Sequence, residues 1–479
     1  MSLLTQRCLL LALSLMLSLL GRPEKLTAQD VRPPNVIVVL CDNLGYGDVG
    51  CFGSKLHRTP HLDQMAAEGM KLTDLYAASG VCTPSRAALL TGCYPPRVDM
   101  HKSETGGAVL QPVSSKGLSP DEITIAELLK TKGYATTIIG KWHLGDQLPF
   151  LPTRQGFDSF YGIPYSDDMT PREGKPWPDL PLMRDEVVID APVDLNDATK
   201  LYTEEAIRFI TENRERPFFL YLPQAMPGST KAPYASDAFR GKSKNGPWGD
   251  SVEELDWSMG EILKSLKELK LDQQTLVIWT SDNGAPRRSP VQGSNEPLAG
   301  WGYTTAEGGM RVPTIAWWPG TISAGSACAE VASLMDLYPT IAGLAGASLP
   351  QDRVIDGKDI LPLLKGEPGA KSPHEAFYYF MFDQLQAVRS GDWKLYLPLQ
   401  EVKGGGWQQQ KELFAEPRLF NLKEDLQETN NVAAQNPAVM KQMILLAEKI
   451  RADLGDDENP GPGRRSAGHF PEPTARVLP

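Results

Sequence analysis

Asn35-Val36-Ile37-Val38-Val39-Leu40, followed at once by Cys41-Asp42-Asn43-Leu44-Gly45-Tyr46-Gly47-Asp48, is the stretch that sets the fold class. A strand with one wet face would alternate apolar and polar residues. A β-branched run that is apolar at every position after Asn35 suits a strand of a parallel sheet covered on both faces. The run breaks into a Gly-containing turn carrying Asp42 and Asn43. Asp-Asn ahead of Gly forms turns readily, but ligands of open α/β sheets also bind just past the carboxyl ends of strands, where this pair falls.

The same pattern recurs outward from there. Buried strands are predicted at 134–139, 217–222, 275–280 and 311–318, with amphipathic helices at 121–132, 198–213 and 249–269 between them. Alternation of this kind predicts an α/β fold, a large mixed, mostly parallel sheet between helices. Two more strand ends carry chemistry. Gly140-Lys141-Trp142-His143-Leu144-Gly145 places an ammonium and an imidazole two residues apart, on one side of an extended chain. Ser281-Asp282-Asn283-Gly284 repeats the carboxylate–amide pair of Asp42-Asn43, and two such pairs offer oxygen ligands to a hard cation.

Cys82-Thr83-Pro84-Ser85-Arg86-Ala87-Ala88-Leu89-Leu90-Thr91-Gly92 reads as a cysteine at the head of a short helix. Pro84 fits the first turn and Gly92 the end. The free N–H groups and positive dipole end of the helix suit an anion at Cys82, and Arg86 adds a planar cation fork. A cysteine ahead of a helix can equally be a packed small hydrophobe.

The C-T-P-S-R core followed by the leucine pair and T-G resembles the signature of the type I sulfatases, arylsulfatase A-like branch. G-K-W-H-L-G is similar to that family's second motif, and the 35–48 and 281–284 segments to its metal-binding strand ends. The resemblance implies an alkaline-phosphatase-like fold and hydrolysis of a sulfate ester. It implies that Cys82 is oxidised to formylglycine by a sulfatase-modifying enzyme, and that the aldehyde hydrate is the nucleophile. One calcium ion would be held by Asp42, Asn43, modified Cys82, Asp282 and Asn283. Arg86 and Lys141 would neutralise sulfate charge, His143 would act as base, and Ser166, in G-I-P-Y-S, would touch the site.

Two departures stand out. Gly228 occupies the place of the family's leaving-group histidine, and Gly302 that of a second substrate lysine. Gln224 and Lys231 are the nearest polar stand-ins for the first. Trp301 and Tyr303 either line the pocket and stack on a sugar or aryl ring, or pack within their loop. Two other readings remain open: a formylglycine-dependent phosphonate or phosphate monoester hydrolase, and a glycan-binding homologue that has lost turnover.

Among the 479 residues, 41% are hydrophobic and 22% charged, as in globular proteins, and the net charge of −11 argues against a nucleic-acid binder. Residues 1–28 read as a signal peptide, with Arg7, an apolar core from Cys8 to Leu20, and a Thr27-Ala28 exit. No later segment is long and apolar enough for a membrane span. Cys41, Cys51, Cys93 and Cys328 show no metal spacing and are expected in the core. No Asn-x-Ser/Thr acceptor occurs, so an exported bacterial protein, periplasmic or secreted, is expected. Residues 29–373 are read as the catalytic domain and 374–455 as a C-terminal α+β unit of short strands and one covering helix. Residues 172–193 are read as a surface insertion and 456–479 as a flexible tail.

Overall fold

The computed structural model describes residues 32–289, 293–399, 401–403 and 416–478, and the expected signal peptide lies outside them. Ten strands form the main sheet: β1 (Asn35–Asp42), β2 (Met70–Leu72), β3 (Ala135–Lys141), β4 (Ser159–Ile163), β5 (Leu182–Arg184), β6 (Val187–Asp190), β7 (Phe218–Pro227), β8 (Thr275–Ser281), β9 (Thr314–Trp317) and β10 (Ser326–Cys328). Their spatial order is β10-β2-β9-β8-β1-β7-β3-β4-β5-β6. The central strands β8, β1, β7, β3 and β4 are parallel, so their carboxyl ends meet along one edge.

Every residue of β1 is buried. Val36, Val38 and Leu40 face a core shared with helices α2 (Cys82–Thr91) and α3 (Ile125–Lys130). Ile37, Val39 and Cys41 face the opposite core, under α1 (Pro60–Glu68), α4 (Ala198–Glu212) and α5 (Gly246–Glu268). Period-two alternation therefore feeds two apolar faces at once, which is why the strand shows no polar position between Asn35 and Asp42.

Helix α2 starts at Cys82, holds Pro84 in its first turn, and ends where Gly92 adopts φ 68° and donates to Ala88 O. Helix α3 is shorter than expected because Thr124 and Glu127 form a capping box that fixes its start. The strand expected over 311–318 reduces to β9 and runs antiparallel to β8.

A four-stranded antiparallel sheet follows: β11 (Phe377–Met381), β12 (Gln384–Ser390), β13 (Trp393–Tyr396) and β14 (Arg418–Asn421), covered by α7 (Pro437–Leu454), after α6 (Leu337–Leu344). It lies in the same compact unit, Pro34–Pro479, as the main sheet.

Two expectations are corrected. Residues 172–193 are not only surface: they supply the last two strands of the sheet, β5 and β6, and a wall of the central cavity. Residues 456–478 are not a loose tail. Gly468–His469 pairs with Lys116–Gly117, the Phe470 N–H reaches Ser115 O at 2.7 Å, and Arg476 bonds Asp146 O at 2.7 Å. Backbone N–H groups of Gly463 and Arg465 also find carbonyl partners, on Asp453 and Arg97.

Candidate active site

The carboxyl ends of β1, β8 and β3 converge on the start of α2, bringing together residues up to 240 positions apart. Arg86 is fully buried and spends its fork there. Nη2 meets Asp42 Oδ1 at 2.9 Å and Asp282 Oδ2 at 2.7 Å, Nε meets Asp282 Oδ2 at 3.0 Å, and Nη1 meets Lys141 O at 2.8 Å. Lys141 Nζ reaches Asp42 Oδ1 at 2.7 Å and Ser166 Oγ at 3.0 Å. Burial alone would raise Asp42, but Lys141 and Arg86 hold it well below the usual carboxylate range. Asp282, with burial and the Asp42 charge against it, is pushed up to about 7. The asymmetry follows the cations: Asp42 touches two, Asp282 one.

Cys82 Sγ lies within 4.8 Å of carboxylate oxygens of both Asp42 and Asp282. Burial and those two charges push its thiol well above the ordinary value, so the unmodified side chain is a neutral thiol and a poor nucleophile. His143 Nε2 lies 3.0 Å from Leu110 O. A carbonyl only accepts, so Nε2 carries the proton and Nδ1, buried without a partner, holds a lone pair. Burial, Lys141 and Arg86 push this imidazole well below its usual range.

The donor set fits a hard cation. Asp42 and Asp282 bring two carboxylates, and Asn283 Oδ1 is buried with no hydrogen-bond partner. Asn43 sits differently from expectation. Its Nδ2 faces Gly228 O and Ser229 Oγ, both at 3.1 Å, and its Oδ1 accepts from Asn283 Nδ2 at 2.7 Å. Because Gly228 O can only accept, the amide orientation is fixed and Asn43 acts as a brace between strand ends.

Above this cage is a cavity of about 350 Å³ reached by Cys82, His143, Ser166, Ser229 and Tyr303. Lys141 and His143 converge for a reason other than an extended chain. β3 stops at Lys141, and His143 turns back with φ 64°. Asn43 (φ 63°) and Tyr303 (φ 67°) share that left-handed conformation, which costs non-glycine residues energy and collects at functional sites.

Other expectations are corrected. Gln224 is buried and donates to Ser258 on α5 at 3.3 Å, away from the cavity. Lys231 is exposed and Trp301 half-buried, and neither lines the cavity. Neither missing family residue could simply be restored. A Cβ on Gly228 (φ 78°) would sit 2.7 Å from Asp167 Oδ2, and one on Gly302 2.1 Å from Gly284 O. The space over Gly228 belongs to Asp167, a carboxyl pushed up to about 7 by burial and by Asp168 and Asp42.

Sequence reasoning missed Asp167, whose carboxylate accepts from the N–H groups of Ser229 (2.7 Å) and Thr230 (2.9 Å). It also missed Thr83, whose hydroxyl donates to His143 O at 3.0 Å and accepts from Leu110 N at 3.2 Å. Thr83 sits beside the cysteine in the quoted motif, so its position was visible although its partners were not.

A doubly covered, mainly parallel sheet whose strand ends gather two carboxylates, two cations and a cysteine-headed helix defines a hydrolase site for an anionic ester. A family model described as Sulfatase matches residues 34–347, and one described as the C-terminal region of aryl-sulfatase matches residues 372–466. The chain belongs to the sulfatase family and is a sulfuric ester hydrolase of type I, arylsulfatase-like. It is 40% identical to the steryl-sulfatase of Mus musculus over 444 residues, covering 76% of this chain and 71% of that protein. It is 42% identical to the N-acetylgalactosamine-6-sulfatase of Canis lupus familiaris, with 76% and 71% covered. The crystal structure of the PsFucS1 sulfatase from Pseudoalteromonas sp. superposes with a TM-score of 0.77 at 31% identity, covering 88% of this chain and 90% of that one. The fold is alkaline-phosphatase-like.

Proposed function

We propose that the protein is an exported sulfatase that hydrolyses the sulfate ester of a sulfated saccharide or aryl alcohol through formylglycine made from Cys82, with one calcium ion. The observation that carries the reading is the placement of Cys82 within 4.8 Å of Asp42 and Asp282 at the head of a buried helix. Asp42, Asp282 and Asn283 would hold the ion, with Asn43 as their brace. When present, the ion would supply charge neutralisation on sulfate oxygens, and the hydrated aldehyde at position 82 an attacking oxygen.

The rest is done by side chains of this chain. With both carboxylates ionised, Asp42 and Asp282 offset Arg86 and Lys141, so a dication would leave the cage positive and receptive to a sulfate monoester. Lys141 Nζ, held between Asp42 and Ser166, keeps a fixed cation beneath the ester. His143, neutral with its Nε2 proton tied to Leu110 O, offers Nδ1 as the proton acceptor. The relatives named for steryl and N-acetylgalactosamine 6-sulfate esters span apolar and sugar alcohols, and the cavity wall, which carries Arg172 and Lys175, favours the sugar class. A leader at residues 1–28 would carry the chain out of the cytoplasm.

The test is mass analysis of the Cys82 peptide with metal analysis of the same preparation, followed by turnover of sulfate esters. Aldehyde at position 82 with one calcium per chain, and loss of turnover by at least about a thousandfold in Cys82→Ser, is the expected result. Unmodified thiol in an active preparation, or retained turnover in Cys82→Ser, defeats the reading.

A further inference from the structure

The segment between β4 and β5 builds an arm over the cavity mouth. Arg172 and Lys175 exchange both backbone hydrogen bonds, at 3.1 and 2.9 Å, across Glu173-Gly174, a two-residue turn with Gly174 at φ 73°. Trp177 follows, and both cations lie over its ring, the Arg172 guanidinium 4.9 Å and the Lys175 ammonium 5.1 Å from the centroid. All three side chains line the cavity that Cys82 enters.

The indole holds these charges in place without neutralising them. Asp168 is the carboxylate nearest Arg172, at 3.9 Å, beyond hydrogen-bond range. Among the described residues, Lys175 meets no carboxylate within ion-pair distance. Glu173, at the tip of the turn, is exposed and outside the cavity lining. In a chain of net charge −11, two clamped cations against one lining carboxylate make a local positive wall.

Depth assigns that wall to one part of the substrate. Cys82 and His143 are buried at the floor, whereas the Arg172 side chain is 50% exposed. An ester bound with its sulfate at the floor directs its alcohol outward, against the arm. An apolar alcohol would leave Lys175 without a counter-charge there and Arg172 with only the long contact to Asp168. An acidic one would pair them.

We infer that the Arg172–Lys175–Trp177 arm is an anion-reading subsite for the leaving alcohol, so that the preferred substrate is a sulfated saccharide bearing a second fixed anion, a carboxylate or another sulfate. This rests on the sulfatase reading of the Cys82 site and adds the substrate class to it.

The test compares kcat/KM for 4-nitrophenyl sulfate, a sulfated disaccharide containing a hexuronate, and a disulfated disaccharide. The matured enzyme is set against its Arg172→Gln/Lys175→Gln and Arg172→Lys/Lys175→Arg variants. The expected result is that the acidic-to-neutral ratio falls about ten- to a hundredfold in the glutamine variant, mostly through KM, and is restored in the charge-retaining one. The ratio of the wild type should also fall as salt is raised. Whichever disaccharide shows the larger fall identifies the second anion, and a ratio that does not move in either overturns the proposal.

Calorimetric binding of the two disaccharides lacking only the scissile sulfate to Cys82→Ala protein, with and without the glutamine substitutions, needs no turnover. Arm-dependent binding to the Cys82→Ala protein, with no turnover of any sulfate ester by the matured wild type, would sink the hydrolase reading alone. Equal binding with and without the arm charges sinks the subsite.

Discussion

Single residues show where the chemistry was legible and where it was not. Cys82, Lys141, His143, Asp42 and Asp282 could be picked from local motifs because each lies at a predicted strand end or helix start, and the topology then had to bring them together. What a motif cannot show is the partner. Arg86 looked like a sulfate contact, yet its fork is consumed by two carboxylates and a carbonyl. Asn43 looked like a ligand, and its motif gave no sign that its amide also braces Gly228 O and Asn283. Gly228 and Gly302 looked like lost catalytic residues. Backbone occupies the Cβ position of Gly302, so the lysine expected there was excluded by the local chain path and not by decay of the site. Gly302→Ala is therefore expected to destabilise the protein by about 1–3 kcal/mol through overpacking against Gly284 O, read as a lower denaturation midpoint. A midpoint equal to the wild type would mean that the 284 and 302 loops separate at no cost, and the steric account of the missing lysine would fail.

At the scale of elements, the fold was readable because strands buried on both faces carry an unmistakable apolar run. Helices covering them were readable by period, but period does not show what their polar residues meet. Helix α5 carries the acidic residues Asp250, Glu254 and Asp256. All are buried, and each accepts backbone N–H groups from neighbouring segments. Asp256 caps α1 from outside, accepting from Leu62 N at 2.8 Å and His61 N at 3.3 Å. Burial, with Asp63 and Glu253 adding like charge, pushes its carboxyl up to about 7. The folded state then binds a proton that the unfolded chain releases near pH 4. Stability from this group is intact below about pH 4 and is lost as pH rises toward about 7, on the order of 4 kcal/mol in full. Asp256→Asn keeps an acceptor for α1 but cannot ionise. The thermal midpoint of the variant relative to wild type should rise steadily from pH 4 to pH 8. A difference that stays flat with pH would show that Asp256 is ionised in the folded protein at no cost.

Across the whole molecule, the C-terminal sheet completes the active cavity, since Met381 and Phe382 at the β11–β12 turn line it beside Cys82. Its anchor is a buried charge network centred on Glu307, in the short helix Glu307–Met310. Glu307 accepts from Lys394 of β13 at 3.0 Å and Tyr379 of β11 at 2.8 Å, and its other oxygen takes the Tyr76 hydroxyl. Arg389 of β12 and Arg311 lie within 3.9 Å of the same carboxylate. Burial would raise Glu307, but Lys394, Arg389 and Arg311 hold it down to about 2. Its folded value is depressed, so its contribution is complete above about pH 4.5 and disappears as pH falls toward about 2. Removing the charge leaves Lys394 and two guanidinium groups buried with only Asp74 and Glu428 to share, a loss of about 3–5 kcal/mol. Glu307→Gln should therefore lower the thermal midpoint at pH 7, with the deficit shrinking as pH is lowered from about 4 toward 2. Limited proteolysis should release the region after residue 372 earlier than in wild type, and KM should rise because the cavity loses a fixed wall. If the midpoint at pH 7 matches wild type, the network is a passenger, and the sheet is held by its apolar core of Phe377, Leu395 and Leu419 alone.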